Sequence, residues 1–279
     1  MGSGVVCSAA MPRPRVVFLG TGGALNPERY QAAVLVEHGA TRVLLDTGGG
    51  LGLVRRLLGA EIDPSTVGHV FLSHRHLDHV GGLEPLLLTL WLHGFRTKAP
   101  PAPVVLHALP GSAAAVRATL AAADAVGQQR LAGQLSWSTP APGAAVALAD
   151  GAALTLVPVD HLPVGGEAAG CVVAAGGARV VYSGDTRPCD ALVEAARGAD
   201  LLIHEVGGLD VHADVLHAVG HSTAAEAGRV AARAGVRALA LFHLPGPDWV
   251  SPDELVAEAR RHAPGVEVFA SEDGMTLKV

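Results

Sequence analysis

Lysine is nearly missing from this chain. Only Lys98 and Lys278 occur among 279 residues, and the formal net charge is −6. Nucleic acid is held by basic side chains that replace counterions along the phosphates, so nucleic acid is disfavoured and a small-molecule substrate favoured. Cysteine is also scarce. Cys7, Cys171 and Cys189 are odd in number and unclustered, which excludes a disulfide framework and a thiolate metal site. Charged residues reach only 16%, yet the 49% of hydrophobic residues rules out disorder. Those hydrophobic residues fall in short runs, none near the roughly 18 uninterrupted positions of a membrane helix, so no membrane partner is expected. The opening "MGSGVVCSAAMPRPR" lacks a basic start followed by an apolar core, so no secretory signal is read and a cytoplasmic location is expected. Residues 1–14 read as a tail, vector-derived or disordered, with Met11 as the natural start, ahead of a single domain over 15–279.

What the chain has in quantity is Gly and Pro, 35 and 18 of them, and they punctuate a repeated strand signal. Runs rich in Val, Leu and Ile predict strands near 15–20, 32–37, 42–46, 68–72, 103–107, 153–159, 170–174, 179–183, 200–203, 237–242 and 266–269. Helical patterns lie between, near 50–59, 82–93, 112–125, 190–197, 223–234 and 252–262. "KAPPAP" at 98–103 and "STPAPGAA" at 138–145 read as loops. Two packed sheets with outer helices, an α/β domain, is the economical architecture.

Histidine is the other abundance, 14 in all, and three of them sit in "SHRHLDH" at 73–79 directly behind the apolar run Val70-Phe71-Leu72. A chain that turns after a strand brings closely spaced side chains to one point beyond the strand end, where ligand sites of α/β proteins lie. Neutral imidazole and carboxylate suit zinc, manganese or iron, whereas an apolar core would need a separate hydrogen-bond partner for each ring. Three more polar residues follow apolar strands in the same way: His161 in "LVPVDH", Asp185 in "VVYSGD" and His243 in "LALFH". Asp46 in "RVLLDTGGG" has the same placement but is followed by glycines, and reads as a carboxylate that orients the ligand loop. Lone His38, His69, His107 and His262 read as structural.

The order His-x-His-x-Asp-His, then His161, Asp185 and His243, resembles the metallo-β-lactamase superfamily of binuclear hydrolases, from about residue 15 to the C-terminus. The resemblance implies a four-layer αββα sandwich and two divalent metal ions per chain, zinc foremost, with manganese or iron as alternatives. It implies that His74, His76 and His161 hold one ion, that Asp78, His79 and His243 hold the other, and that Asp185 bridges them. It also implies attack by a hydroxide held between the two metals, which Asp78 would orient.

Several stretches select a branch. Asp185 stands where the related zinc β-lactamases carry cysteine, "VDHLPVGG" departs from the Gly-His-Thr-Pro-Gly motif of glyoxalase II and many lactonases, and the interval from Asp185 to His243 is too short for the domain that nucleic-acid-processing members insert there. "ADLLIHEV" at 199–206 and "GHSTAAEAGRVAARAG" at 220–235 resemble the ribonuclease Z and arylsulfatase-like group. "DHVGGLEPLLLTLWLHGFR" and "GTGGALNPER" look most like its arylsulfatase and phosphodiesterase members. The tRNA 3′-processing enzymes of that group carry a long arm between the ligands equivalent to His161 and Asp185, an asparagine where Tyr30 stands, and a Ser-Arg-Tyr ending absent from "FHLPGP".

Thr223 and Glu226 fit a capping box that opens an Ala-rich helix, which puts His221 near a helix N-terminus, where an anion is favoured. Glu205, at the end of Leu201-Leu202-Ile203, is placed to orient His221 and raise its pKa, so that His221 donates a proton to a leaving oxygen. "LWLHGFR" sets Trp91, His93 and Phe95 together on a helix, as core, as the interface of a homodimer, or as pocket wall. "GLDVHADVLHAVGH" at 208–221 reads as a long loop placed to act as a lid. The expected activity is hydrolysis of small phosphoester or sulfate-ester substrates. A tRNA 3′-end endonuclease, a lactone or carboxyl-ester hydrolase and a non-enzymatic metal-binding protein are the alternatives.

Overall fold

The computed structural model describes residues 12–279 apart from 124–125, 132 and 163–165. Most of the expected tail, residues 1–11, therefore lies outside the described residues.

The first half of the chain builds one sheet and its helices. β1 (Arg15–Gly20), β2 (Ala33–His38) and β3 (Thr41–Leu45) run antiparallel in sequence. After α1 (Gly52–Gly59) come β4 (His69–Phe71), the single turn α2 (Leu77–Val80), α3 (Leu83–Thr97), β5 (Val104–His107), α4 (Pro110–Ala122), α5 (Val126–Arg130) and β6 (Leu135–Ser138). β3, β4, β5 and β6 are parallel neighbours. The second half repeats the plan. β7 (Ala145–Ala147), β8 (Ala153–Val159), β9 (Ala168–Ala175) and β10 (Ala178–Tyr182) form an antiparallel meander. Then α6 (Asp190–Ala196), β11 (Leu201–Glu205), α7 (Ala213–Ala218), α8 (Ala224–Ala234), β12 (Ala238–Phe242), α9 (Pro252–His262) and β13 (Glu267–Ala270) follow, with β10 to β13 parallel. β14 (Thr276–Lys278) returns to pair with β1 on the first sheet.

Strand residues alternate between two faces, and the burial shows where each face goes. Val16, Phe18, Val34, Val43 and Phe71 of the first sheet meet Leu154, Cys171, Val180, Tyr182, Ile203 and Phe242 of the second. On the first sheet the opposite face, with Val17, Leu35, Leu44 and Val70, packs on Leu53, Leu57, Leu83 and Leu87 of α1 and α3. On the second, Val181, Leu202 and Leu239 pack on Leu192, Val230 and Leu255 of α6, α8 and α9. Three apolar layers separate four structural ones, so the αββα sandwich is as expected. No helix among the described residues is long and apolar enough to cross a membrane.

Some elements differ from expectation. β6, β7 and β14 were unforeseen, and the segment 208–221 is not all loop, since α7 and a short 3-10 turn at Asp210–His212 occupy it. The single turn α2 begins inside the histidine cluster itself.

Candidate metal centre

Most of the expected polar residues lie at or beyond the C-terminal ends of strands; His221 instead lies between α7 and α8. Asp46 follows β3, Ser73 and His74 follow β4, His161 follows β8, Asp185 follows β10 and His243 follows β12. Glu205 is the last residue of β11. α2 turns the chain so that Asp78 and His79 face back over the strand that precedes them. Asp46 and His243 both take up left-handed backbone, at φ 56° and 55°, a conformation that non-glycine residues hold only when their surroundings enforce it.

The side chains form overlapping groups around one carboxylate. His74, His76, His161 and Asp185 present ligand atoms within 4.8 Å of one another, as do Asp78, His79 and His243, and Asp185 and His243 also lie within that distance of His221. Asp185 Oδ2 lies 3.2 Å from His79 Nε2, 3.6 Å from His243 Nε2, 3.8 Å from His74 Nε2 and 3.9 Å from His161 Nε2. His76 Nδ1 and His161 Nε2 face each other at 3.2 Å, and Asp78 Oδ2 is 3.3 Å from His243 Nε2. Asp185 thus touches both groups.

The far sides of the His79 and His161 rings are fixed. His79 Nδ1 is 2.7 Å from Asp46 Oδ2, and the same carboxylate accepts from Ser73 N, Ser73 Oγ and the Tyr182 hydroxyl. His161 Nδ1 donates to the Gly220 carbonyl at 2.8 Å, so its Nε2 keeps a lone pair. Gly220 has φ +90°, and a Cβ there would lie 2.5 Å from His161 O, so only glycine brings that carbonyl so close. The inward atoms are left over. His74 Nε2, His79 Nε2 and Asp185 Oδ1 are buried without a hydrogen-bond partner among the described residues, an arrangement that costs free energy unless a ligand satisfies them. Imidazole nitrogens and carboxylate oxygens in this arrangement fit divalent metal ions of the zinc type.

Electrostatics follow from burial and that carboxylate. Burial lowers the pKa of His74 and His161, with Asp185 opposing it. Burial also acts on His79, but Asp185 and Asp46 on either side of it raise its pKa well above the usual value. Burial opposes ionisation of Asp78, yet the bond to His243 brings its pKa down to about 2.

His221 and Glu205 meet as expected. Glu205 Oε1 accepts from His221 Nδ1 at 3.1 Å, and also from Thr186 N and Ser222 N. Burial would lower the His221 pKa, but the Glu205 charge outweighs it and pushes it up to about 9. The His221 ring lies 5.1 Å from that of His161 and stacks 5.5 Å from that of His243. The Thr223–Glu226 capping box is formed.

Other residues are placed elsewhere. Trp91 stacks on Phe95 under Arg130, and His93 lines a separate hollow with Asp63 and Arg96, so none of the three joins the centre. His204, the neighbour of Glu205, is buried, with Nδ1 bonded to the Glu205 carbonyl. His217 pairs with Glu226. The sequence reading did not find Leu25, Leu216 and Trp249, which with His221 and His243 line a cleft of about 300 Å³ beside the centre. The signal available was position alone: Leu25 and Trp249 lie shortly after glycine- and ligand-bearing strand ends.

A family model described as the beta-lactamase superfamily domain matches residues 41–244. Ribonuclease Z of Mycobacterium bovis (strain BCG / Pasteur 1173P2) is 34% identical over 242 residues, covering 82% of this chain and 85% of that one. Among solved structures, the metallo-beta-lactamase fold protein YhfI from Bacillus subtilis superposes with a TM-score of 0.78 at 22% identity, over 95% of this chain and 99% of the other. The short form of human tRNase Z gives 0.71 at 23% identity, over 94% and 98%. These two share the fold, and the family model and the mycobacterial relative carry the kinship: the chain belongs to the metallo-β-lactamase superfamily of hydrolases, in the group that contains its ribonuclease Z relatives.

Proposed function

We propose that the protein hydrolyses small phosphoester or sulfate-ester substrates with two divalent ions. One is held by His74, His76 and His161, the other by Asp78, His79 and His243, with Asp185 shared. Zinc suits these donors best, and manganese or iron would use the same atoms. Such ions supply Lewis acidity and a water acidic enough to serve as a nucleophile near neutral pH.

The protein's own residues do the rest. Asp46 and the Gly220 carbonyl hold the far nitrogens of His79 and His161, which keeps the near nitrogens aimed inward. Asp78, ionised and at the edge of the centre, orients the attacking water as well as binding. Glu205 holds His221 by Nδ1, leaving the other nitrogen to donate to an oxygen that gains charge as the ester bond breaks.

The observation that carries the ester reading is this Glu205–His221 pair. His221 also lies within ligand distance of Asp185 and His243, but the two ion sites are complete without it, and a carboxylate-backed imidazole left beside them suits an anionic oxygen. The test is a screen of phosphodiesters, phosphotriesters, sulfate esters and lactones against protein loaded with Zn²⁺ or Mn²⁺. Turnover of phosphodiesters or sulfate esters is expected, and turnover of lactones alone would overturn the assignment.

A second reading, a tRNA 3′-end endonuclease, is favoured by the ribonuclease Z relatives. Against it, β9 and β10, joined through Gly176-Gly177, fill most of the interval between His161 and Asp185, and the net charge is −6. Weak tRNA binding and no defined cut in a 3′-extended precursor are expected, and site-specific cleavage at physiological salt would reverse the order of the two readings.

A further inference from the structure

The cleft beside the centre has two kinds of wall. The His221 and His243 rings form one side, and Leu25, Leu216, Pro245 and Trp249 form most of the other. Among the described residues its lining holds no lysine, arginine or carboxylate. Asn26, its one amide, is already spent on the Leu244 and Pro245 carbonyls, which ties the 22–26 loop to the loop after β12. A second phosphate or a sugar–phosphate backbone would therefore find no cation beyond His221, which faces the reacting centre, and few free polar groups there.

Leu216 is buried, but two of the apolar walls are left in water. Leu25 is 93% exposed and Trp249 is 52% exposed. Val211, Val215 and Val219, spaced by four along the α7 segment, are also exposed. Those valines do not line the cleft, but exposed apolar side chains such as Leu25 and Trp249 gathered on a site mark a surface that is covered in use. A cleft of about 300 Å³ is at the small end of small-molecule sites and suits one fused ring system.

We infer that this cleft is a recognition subsite for an aromatic or comparably large apolar substituent of the ester, with Trp249 as the stacking wall and Leu25 as its outer edge. The inference rests on the hydrolase reading for the reacting centre, but binding in the cleft needs no turnover. A substituent of the reacting molecule is the occupant because one side of the cleft is formed by His221 and His243 themselves. Whatever fills it continues to the metal centre. Aromatic stacking on indole and burial of the leucine side chains supply the affinity.

The test is calorimetry on zinc-loaded protein with naphthalene-1-sulfonate and methanesulfonate, two non-hydrolysable anions that differ in apolar bulk. The naphthyl anion should bind at least about tenfold more tightly. Trp249→Ala and Leu25→Ser should each shrink that ratio, and Trp249→Phe should restore most of it. Leu25 is so exposed that its replacement leaves the fold intact, so the test survives if Trp249→Ala does not fold. Equal affinities in the parent, or ratios unmoved by both variants, would overturn the subsite. A dimer abolished by Leu25→Ser, together with equal affinities, would assign the patch to a second copy instead. In parallel, kcat/KM is compared for methyl and naphthyl diesters sharing a nitrophenolate leaving group. A naphthyl binding preference without turnover of any ester would sink the hydrolase reading and leave the subsite standing.

Discussion

Two sets of histidines lie within a few residues of each other around β4 and have opposite fates. His69 on β4 and His107 on β5 face one another, with Nδ1 of the first 3.1 Å from Nε2 of the second. Burial and the neighbouring ring push the His107 pKa down to about 4, so at neutral pH the pair is uncharged and the rings share one hydrogen bond, with His107 Nδ1 left without a partner among the described residues. His74 and His79 are fully buried, like His107 and unlike the half-buried His69, and their Nε2 atoms, without a hydrogen-bond partner among the described residues, converge on Asp185. The difference is the carboxylate. Paired rings without one make a structural contact, and rings converging on one make a place for a cation.

The strongest way to break that comparison is to remove its ends. His76→Ala or Asp185→Ala should lose metal and essentially all hydrolysis, whereas His107→Gln should keep both. Elemental analysis of the metal-replete parent should find two ions per chain, and one or none would end the two-metal assignment. Next in size is His221→Ala. Esters with poor leaving groups should slow by roughly 10²–10⁴-fold, nitrophenyl esters much less, and metal content should stay at two. A uniform loss across a leaving-group series would make His221 an anion binder rather than an acid.

The structural pair gives the third effect. His107 has a folded-state pKa far below its unfolded value, so the unfolded chain binds the proton more readily. Its contribution is complete above about pH 6.5 and is lost as pH falls through 4, roughly 3 kcal/mol in all. Chemical unfolding of metal-free parent and His107→Gln at pH 7 and pH 4 should show a steeper loss in the parent, and parallel losses would refute the assignment. The smallest effect is expected for Tyr182→Phe, which removes one donor to Asp46. Metal affinity should fall roughly 10–100-fold, measured by chelator competition, with both ions still binding at saturation.

The positions of the centre were legible because each follows a run of apolar residues, and a strand end is visible in sequence as the point where Val, Leu and Phe give way to Asp or His. The Glu205–His221 pairing was legible through the Thr223–Glu226 cap, which located the helix and hence the histidine before it. What escaped lacked a period. β7 and β14 are three residues each and half exposed, so no alternation develops. α7 is flanked by Gly208 and Gly220, which mask one and a half turns of helix as loop. The cleft wall is assembled from Leu25, Leu216 and Trp249, distant in sequence and mostly exposed, and only the closed fold brings them together.

The candidate ligands come from both sheets, with His74, His76, Asp78 and His79 behind the first and His161, Asp185 and His243 behind the second. His243 and Asp78 stand 165 residues apart in the chain. A shared pair of ions, as proposed, would therefore act as a staple between the two halves of the sandwich, closing a very long loop that the unfolded chain leaves open. Closing such a loop is entropically costly, so metal bound only by the folded form should raise the temperature at which both halves come apart together. Stripping it should let the halves part at their open edge first.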